Sequence, residues 1–250
     1  MDFENVIYEK DRGRHLATIT LNRPEKLNAI NQGLKLDFMR AMADVEEDDA
    51  VKVVVIKGAG RSFSSGADLS SAFTDPQTSW GVKIEKPKKT AGRPSLRRML
   101  TADRWLELTF PSAIAYSSKA TLAQLHGHVL GLAFDLAMQC DLIIASEDAV
   151  IGNPMTRAMG PYYDGSASSW DLQFGIGLAK EHCFAPRLYD GREAYRLGIV
   201  NRVVSPQRLD EEVARYVQGI SNMPADGIAI GKGVQTAFLD IMGYRKGFNS

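Results

Sequence analysis

Three observations predict an α/β fold for this sequence. Short β-branched runs such as "VKVVVIKG" and "DLIIAS" alternate with stretches whose apolar residues recur at helical spacing. The chain has 250 residues, 44% of them hydrophobic, enough for a substantial core. No internal repeat and no linker-like stretch divides it into two cores.

The first segment, "NVIYEK-DRG-RHLATITLN", reads as two strands around a turn at Asp11 to Gly13, and Pro24 stops the sheet. Asn31 is placed to cap a helix in which Leu34, Phe38, Ala41, Met42 and Val45 share one face. Val51 to Gly58 is too short and too β-branched for a helix and reads as a buried strand. A glycine- and serine-rich turn follows, "GAGRSFSSGADLS". Residues 74–95 are rich in Pro, Gly and Lys and read as a loop. There Lys83, Lys86, Lys88, Lys89 and Arg93, with Arg97 and Arg98 beyond, form a basic cluster. It is either a solvated loop or an attraction for a phosphorylated ligand. Ser95 then caps a helix expected to run through Phe110. "KATLAQLHG" is a strand, "LGLAFDLAMQC" a buried helix, "DLIIAS" a strand and "DAVIG" a short extended piece. From Ser166 onward the pattern is helical, and "EAYRLGIVNRVV" carries a helix, a glycine stop and a short strand.

Composition excludes several functions. Formal net charge is zero, so no global field attracts nucleic acid or an acidic membrane. Cys140 and Cys183 have no metal-ligand spacing and read as buried free thiols, which fits a reducing compartment. "MDFENVIYEKDRGR" has no basic stretch leading into an apolar one, and no apolar run approaches the ~20 residues of a spanning helix. A soluble cytoplasmic protein is expected.

Asp135 stands out, because it sits inside the apolar run "VLGLAFDLAMQCDLIIAS". A carboxylate there costs several kcal/mol unless it is paired, hydrogen-bonded or protonated. Either a partner such as Arg157 stabilises it as a core acid, or the site uses it. Rival motifs are weaker. Gly58 and Gly60 match the start of GxGxxG, but Phe63 replaces the third glycine, and the acid at a suitable offset, Asp75, lies in the Pro/Lys loop. His126 and His128 share a face if Leu125 to Val129 is extended, yet no third metal ligand appears at a supporting spacing. There is no GxSxG elbow.

Four stretches, taken together and in order over residues 15–205, resemble the crotonase (enoyl-CoA hydratase/isomerase) superfamily. They are "ATITLNRPEKLNAIN", "VVVIKGAGRSFSSGADLS", "LHGHVLGLAFDLAMQCDLIIASEDAVIGNP" and "GREAYRLGIVNRVV". The resemblance implies a ClpP-like spiral of ββα turns over residues 1–200. A C-terminal helical segment, 201–250, follows, with its last covering helices incomplete or supplied by a neighbouring subunit. It also implies an acyl-CoA substrate, homotrimers or dimers of trimers, and no cofactor or metal, CoA entering as part of the thioester.

By the same resemblance, two backbone amides stabilise a thioester enolate, and they fall on Ser65 and Leu132. Leu132 departs from the usual glycine and adds bulk beside the thioester. Lys26, Leu27, Ser64, Gly66, Ala67, Asp68, Gly131 and Met155 fall on positions that line the CoA and acyl site. Asp68 also reads as a helix-start structural acid. Asp135 occupies the place of the first of two catalytic glutamates, one methylene shorter. Met155 occupies the place of the second, and a thioether cannot move a proton. Tyr162, Tyr163 and Asp164 crowd a position where some relatives carry another acid/base group, although Asp164 equally reads as a turn or helix cap. The expected chemistry is isomerase-like, or an atypical hydratase or lyase reaction with a non-standard acid/base set. A non-catalytic CoA-thioester-binding member is the alternative.

Overall fold

The computed structural model describes residues 2–68, 110–154 and 167–244. Strands β1 (Val6–Asp11) and β2 (Leu16–Leu21) form the expected antiparallel hairpin, closed by a bond from Arg14 N–H to the Asp11 carbonyl. From β2 onward the large sheet is parallel: β2, β3 (Val53–Gly58), β4 (Ala120–Leu125), β6 (Leu142–Ser146) and β9 (Arg202–Val204) lie side by side. A smaller sheet joins β5 (His128–Leu130), β7 (Val150–Gly152) and β8 (Tyr189–Asp190).

A parallel sheet is stable only when both faces are covered, and the strands are patterned for that. In β3, Val54 and Ile56 enter the main core, while Val53 and Val55 face a second apolar cluster. β4 and β6 divide in the same way, with Ala123, Leu125, Ile143 and Ala145 on one face and Leu122 and Ile144 on the other. This two-sided burial is why "VVVI" inside "VKVVVIKG" is an unbroken apolar run. The first face is covered in part by α1 (Gln32–Glu46). Its N-cap Asn31 accepts from Leu34 N–H, and Leu34, Phe38, Ala41, Met42 and Val45 are buried as their spacing predicts. Val213 and Val217 of α6 (Leu209–Ser221), with Leu209, cover the second.

Further helices are α2 (Leu132–Ala137), α3 (Ala167–Phe174), α4 (Ile176–Phe184), α5 (Gly191–Arg196) and α7 (Ala225–Ile241). Two expectations change. The helix expected over "LGLAFDLAMQC" is only six residues long, because i→i−3 bonds from Gln139 and Cys140 tighten its end into a turn. His126 and His128 do not share a strand face. Gly127 takes φ +55 between β4 and β5, so the chain bends there. His126 Nε2 meets the Gly60 carbonyl at 3.0 Å, and His128 Nδ1 meets Ser62 Oγ at 3.2 Å. Cys140 and Cys183 are buried free thiols, as expected. Residues 110–115 are helical, and the earlier part of the helix expected from Ser95 lies outside the described residues, as do Asp75 and the 83–98 basic cluster. Among the described residues no helix is long and apolar enough to cross a membrane.

Phe38 is fully buried, edge-on to Phe110 with centroids 5.1 Å apart. Phe38→Ala is expected to destabilise the fold by about 3–5 kcal/mol, read as a lower urea midpoint at unchanged m-value.

Candidate active site

The turn after β3 is held from two sides. On one side, Ser64 N–H donates to the His128 carbonyl at 2.9 Å, and Leu130 N–H donates to the Ser64 carbonyl at 3.2 Å. On the other, Ile30 N–H donates to the Gly66 carbonyl at 2.8 Å, and Asp68 N–H to the Ile30 carbonyl at 2.9 Å. Both are short parallel bridges, so residues 64–68 lie between the 27–30 segment and β5.

Asn28 organises the first of these neighbours. It is fully buried at φ +54, directly after Leu27 at φ +51. Two successive non-glycine residues in the left-handed region are strained and need compensation. The Asn28 side chain supplies it: Nδ2 donates to the Ala59 and Ser62 carbonyls, both at 2.8 Å, and Oδ1 accepts from Arg23 N–H at 2.9 Å. Its carbonyl accepts from Ser64 Oγ at 2.8 Å, and that oxygen accepts from Gly66 N–H at 3.1 Å. Ser64 therefore shapes the turn. Asp68 is buried and paired with Arg23 at 3.0 Å, which fits the structural reading of this acid. Arg23 Nη1 also donates to the Ala29 carbonyl.

Gly66 makes the approach that joins the turn to α2. A Cβ built there, at φ +93, would fall 2.4 Å from the Leu130 carbonyl oxygen and 3.4 Å from Leu132 N. Only glycine fits, and its absent side chain brings the 64–68 turn against the start of α2. Gly131 caps that helix and donates its N–H to the Gly152 carbonyl at 3.0 Å.

The free amide donors differ from expectation at one position. Ser65 N–H is committed to the Leu27 carbonyl at 2.9 Å. Among the described residues, the Ala67 and Leu132 amides make no hydrogen bond. Ala67 is exposed and lies next to Gly66, whose missing Cβ faces Leu132 N. Leu132 is the first residue of α2, where backbone N–H groups have no intrahelical acceptor.

Asp135 follows Leu132 by three residues and shares its helix face. It is fully buried, and its Oδ2 accepts from Asn153 Nδ2 at 3.2 Å. Its place in the first turn of α2 is electrostatically favourable for a carboxylate. Asn153 continues inward: its backbone N–H donates to His182 Nε2 at 3.2 Å. His182 Nδ1 lies 3.4 Å from Tyr189 Oη, and the His182 ring packs edge-on to Trp170 with centroids 4.9 Å apart. Burial, helped by the positive charge of Arg187, lowers the His182 pKa to about 4, so this imidazole is neutral near pH 7.

The structure thus brings Leu27, Ser64, Ser65, Gly66, Ala67, Asp68, Gly131, Leu132 and Asp135 into one region. Lys26 ends the exposed turn beside Leu27. Met155, Arg157, Tyr162, Tyr163 and Asp164 lie outside the described residues. Sequence reasoning did not find the roles of Asn28, Asn153 and His182. Asn28 carried a signal, since it stands inside "KLNAIN". No spacing links residues 135, 153 and 182.

The chain matches the family described as enoyl-CoA hydratase/isomerase over residues 16–226. It is 33% identical over 229 residues to a short-chain-enoyl-CoA hydratase of Clostridium acetobutylicum, covering 90% of this chain and 78% of that protein. A crotonyl-CoA hydratase of Syntrophomonas wolfei is 31% identical over 217 residues, 86% of this chain and 75% of its own length. The crystal structure of an enoyl-CoA hydratase/isomerase from Xanthobacter autotrophicus superimposes with TM-score 0.83 at 26% identity, covering 99% of this chain and 84% of that one.

His182 makes stability pH-dependent in a defined direction. Unfolded, the imidazole titrates near 6.5, and folded near 4. Between these values the unfolded chain binds more protons, so the stability present above pH 6.5 is lost as pH falls towards 4. The expected slope from this group approaches about 1.4 kcal/mol per pH unit. Urea denaturation at a series of pH values should show it, and His182→Gln should flatten it.

Proposed function

This chain is a member of the enoyl-CoA hydratase/isomerase family, an acyl-CoA-binding enzyme, and on that premise we propose that it moves a proton on the acyl chain of a CoA thioester, using one carboxylate. The thioester carbonyl oxygen accepts from the amides of Ala67 and Leu132. Asp135 removes a proton from the carbon next to the carbonyl, and negative charge develops on the oxygen that the two amides face. Return of the proton to a different carbon shifts the double bond, an isomerase-like outcome. Preorganised amides at a developing oxyanion contribute several kcal/mol, because they need no reorganisation when the charge forms.

One observation carries this reading: a fully buried carboxylate stands one helical turn from the Leu132 amide, and that amide in turn lies beside Gly66, a glycine that admits close approach. A second catalytic carboxylate is missing from its usual place, where the sequence has Met155. Hydration by two acids sharing one water therefore has less support. Tyr162, Tyr163 and Asp164 are the further acid/base candidates that the sequence offers. Lys26, exposed beside Leu27, suits the CoA phosphates. The side chain of Leu132 narrows the space beside the thioester and favours a slim acyl group.

Assembly into trimers accompanies this reading. Ile230, Val234, Phe238 and Ile241 of α7 are 62–85% exposed and fall along one stripe of the helix. A second copy of the chain is the proposed cover. Sedimentation velocity should find a trimer or a pair of trimers, and Val234→Asp with Phe238→Asp should shift the distribution to smaller species.

Chemistry is tested by incubating the protein with a panel of acyl-CoAs in deuterated water and scoring each by mass spectrometry. Exchange at the carbon next to the thioester, without water addition, is expected. Asp135→Asn should slow it by roughly 10²–10⁴-fold with CoA affinity retained. Gain of a water would restore hydration. No exchange and no mass change, with CoA binding demonstrated, would leave a binding protein instead.

A further inference from the structure

His182 is a buried, titratable side chain with no part in the proton transfer described above, yet four separate elements meet on it. It projects from α4, accepts from the backbone of Asn153 just beyond β7, faces Tyr189 on β8, and packs on Phe134 of α2 with ring centroids 5.1 Å apart. Trp170 of α3 closes the ring from the edge. His182 is 1% exposed and Tyr189 also 1%. Arg187 lies over the Tyr189 ring at 4.4 Å and is itself held by Glu193 at 2.7 Å and Glu181 at 3.1 Å.

The hydrogen bonds give this cluster a direction. Because Asn153 N–H donates to Nε2, that nitrogen carries the lone pair, and the ring hydrogen sits on Nδ1, towards Tyr189. Asn153 is therefore anchored through its main chain and presents its side-chain Nδ2 to Asp135 Oδ2 at 3.2 Å. Phe134, the immediate neighbour of Asp135 in α2, rests on the same imidazole.

We propose that His182 is a positioning residue for Asp135: it fixes the Asn153 main chain, and Asn153 in turn holds the carboxylate in the orientation that faces the substrate. The inference rests on the reading of Asp135 as the group that moves the proton. Its energetic logic is that of any support for a catalytic group, where a shift of about 1 Å costs on the order of 10²-fold in rate. Asp135 is one methylene shorter than Glu, and a shorter reach leaves less tolerance for misplacement. The neutral state of the imidazole at working pH keeps Nε2 an acceptor.

Two substitutions separate the acceptor from the packing. His182→Phe keeps a ring between Phe134 and Trp170 but cannot accept from Asn153 N–H. His182→Gln removes the ring but offers Oε1 near the position of Nε2. The kcat for deuterium exchange is expected to fall about 10–100-fold in His182→Phe, with KM changed less than about 3-fold, and to recover in His182→Gln to within about 3-fold of the parent. Equal losses in both variants, or none in His182→Phe, would overturn the proposal. Should the Phe ring prevent folding, His182→Leu carries the same expectation.

A readout without turnover keeps this test apart from the reading of Asp135. In protein labelled with ¹³C at the aspartate carboxyls, the Asp135 resonance is identified by its loss in Asp135→Asn. It should move in His182→Phe and return in His182→Gln. An Asp135 resonance unchanged in His182→Phe would overturn the positioning role even in an active enzyme. A resonance that moves and returns, in a protein that exchanges no proton or whose exchange survives Asp135→Asn, would keep the positioning role and overturn only the assignment of Asp135.

Discussion

The peptide of Ser64 bonds to both ends of a two-residue step in β5, its N–H to the His128 carbonyl and its carbonyl to Leu130 N–H. The site depends on that bridge. It joins the turn after β3 to the strand that leads into α2, two stretches more than sixty residues apart in sequence. Once they are joined, Gly66 has no room for a side chain, and the Ala67 and Leu132 amides have no acceptor among the described residues. Donors held by a surrounding ladder of hydrogen bonds do not need to reorganise around a ligand, which makes main-chain geometry a durable form of electrostatic preorganisation.

The cost of this arrangement appears in the 27–30 segment. Leu27 and Asn28 both adopt left-handed backbone conformations, and Asn28 is buried with a full set of polar groups. Each buried polar group without a partner costs roughly 1–3 kcal/mol, and the side-chain amide of Asn28 avoids that cost by bonding through both its nitrogen and its oxygen. Arg23 and Asp68 complete the same structure from either side of it. The acid in "GADL" thereby secures the turn, and the carboxylate proposed to move the proton, Asp135, lies on a different element.

The strands and α1 were legible because burial follows sequence periodicity. Val53 to Ile56 is apolar on both faces, and the apolar residues from Leu34 to Val45 recur at helical spacing after an asparagine cap. Chain-end details were less legible. The helix after Gly131 stops at Ala137, because turn bonds from Gln139 and Cys140 replace another helical turn before Asp141 bonds to Thr121. Gly127 separated two histidines that an extended chain would have aligned. In the turn after β3, the resemblance places a donor at Ser65, whose N–H bonds to the Leu27 carbonyl, whereas among the described residues the Ala67 amide makes no hydrogen bond. Which N–H lacks an acceptor depends on the neighbouring strand, here the Leu27 carbonyl, and no local pattern encodes that.

Sequence alone determined the α/β class, the order of the strands, the place of Asp135 inside an apolar run three residues after Leu132, and the absence of a glutamate at residue 155. These properties are local: they follow from residue type and from spacing along one helix or strand. Tertiary structure decided which amides remain free, that Ser64 and Asp68 serve the turn, and that Asn153 and His182 stand behind Asp135. Those facts come from pairings across the fold, where a donor's partner is set by what the packed sheet brings within about 3 Å of it.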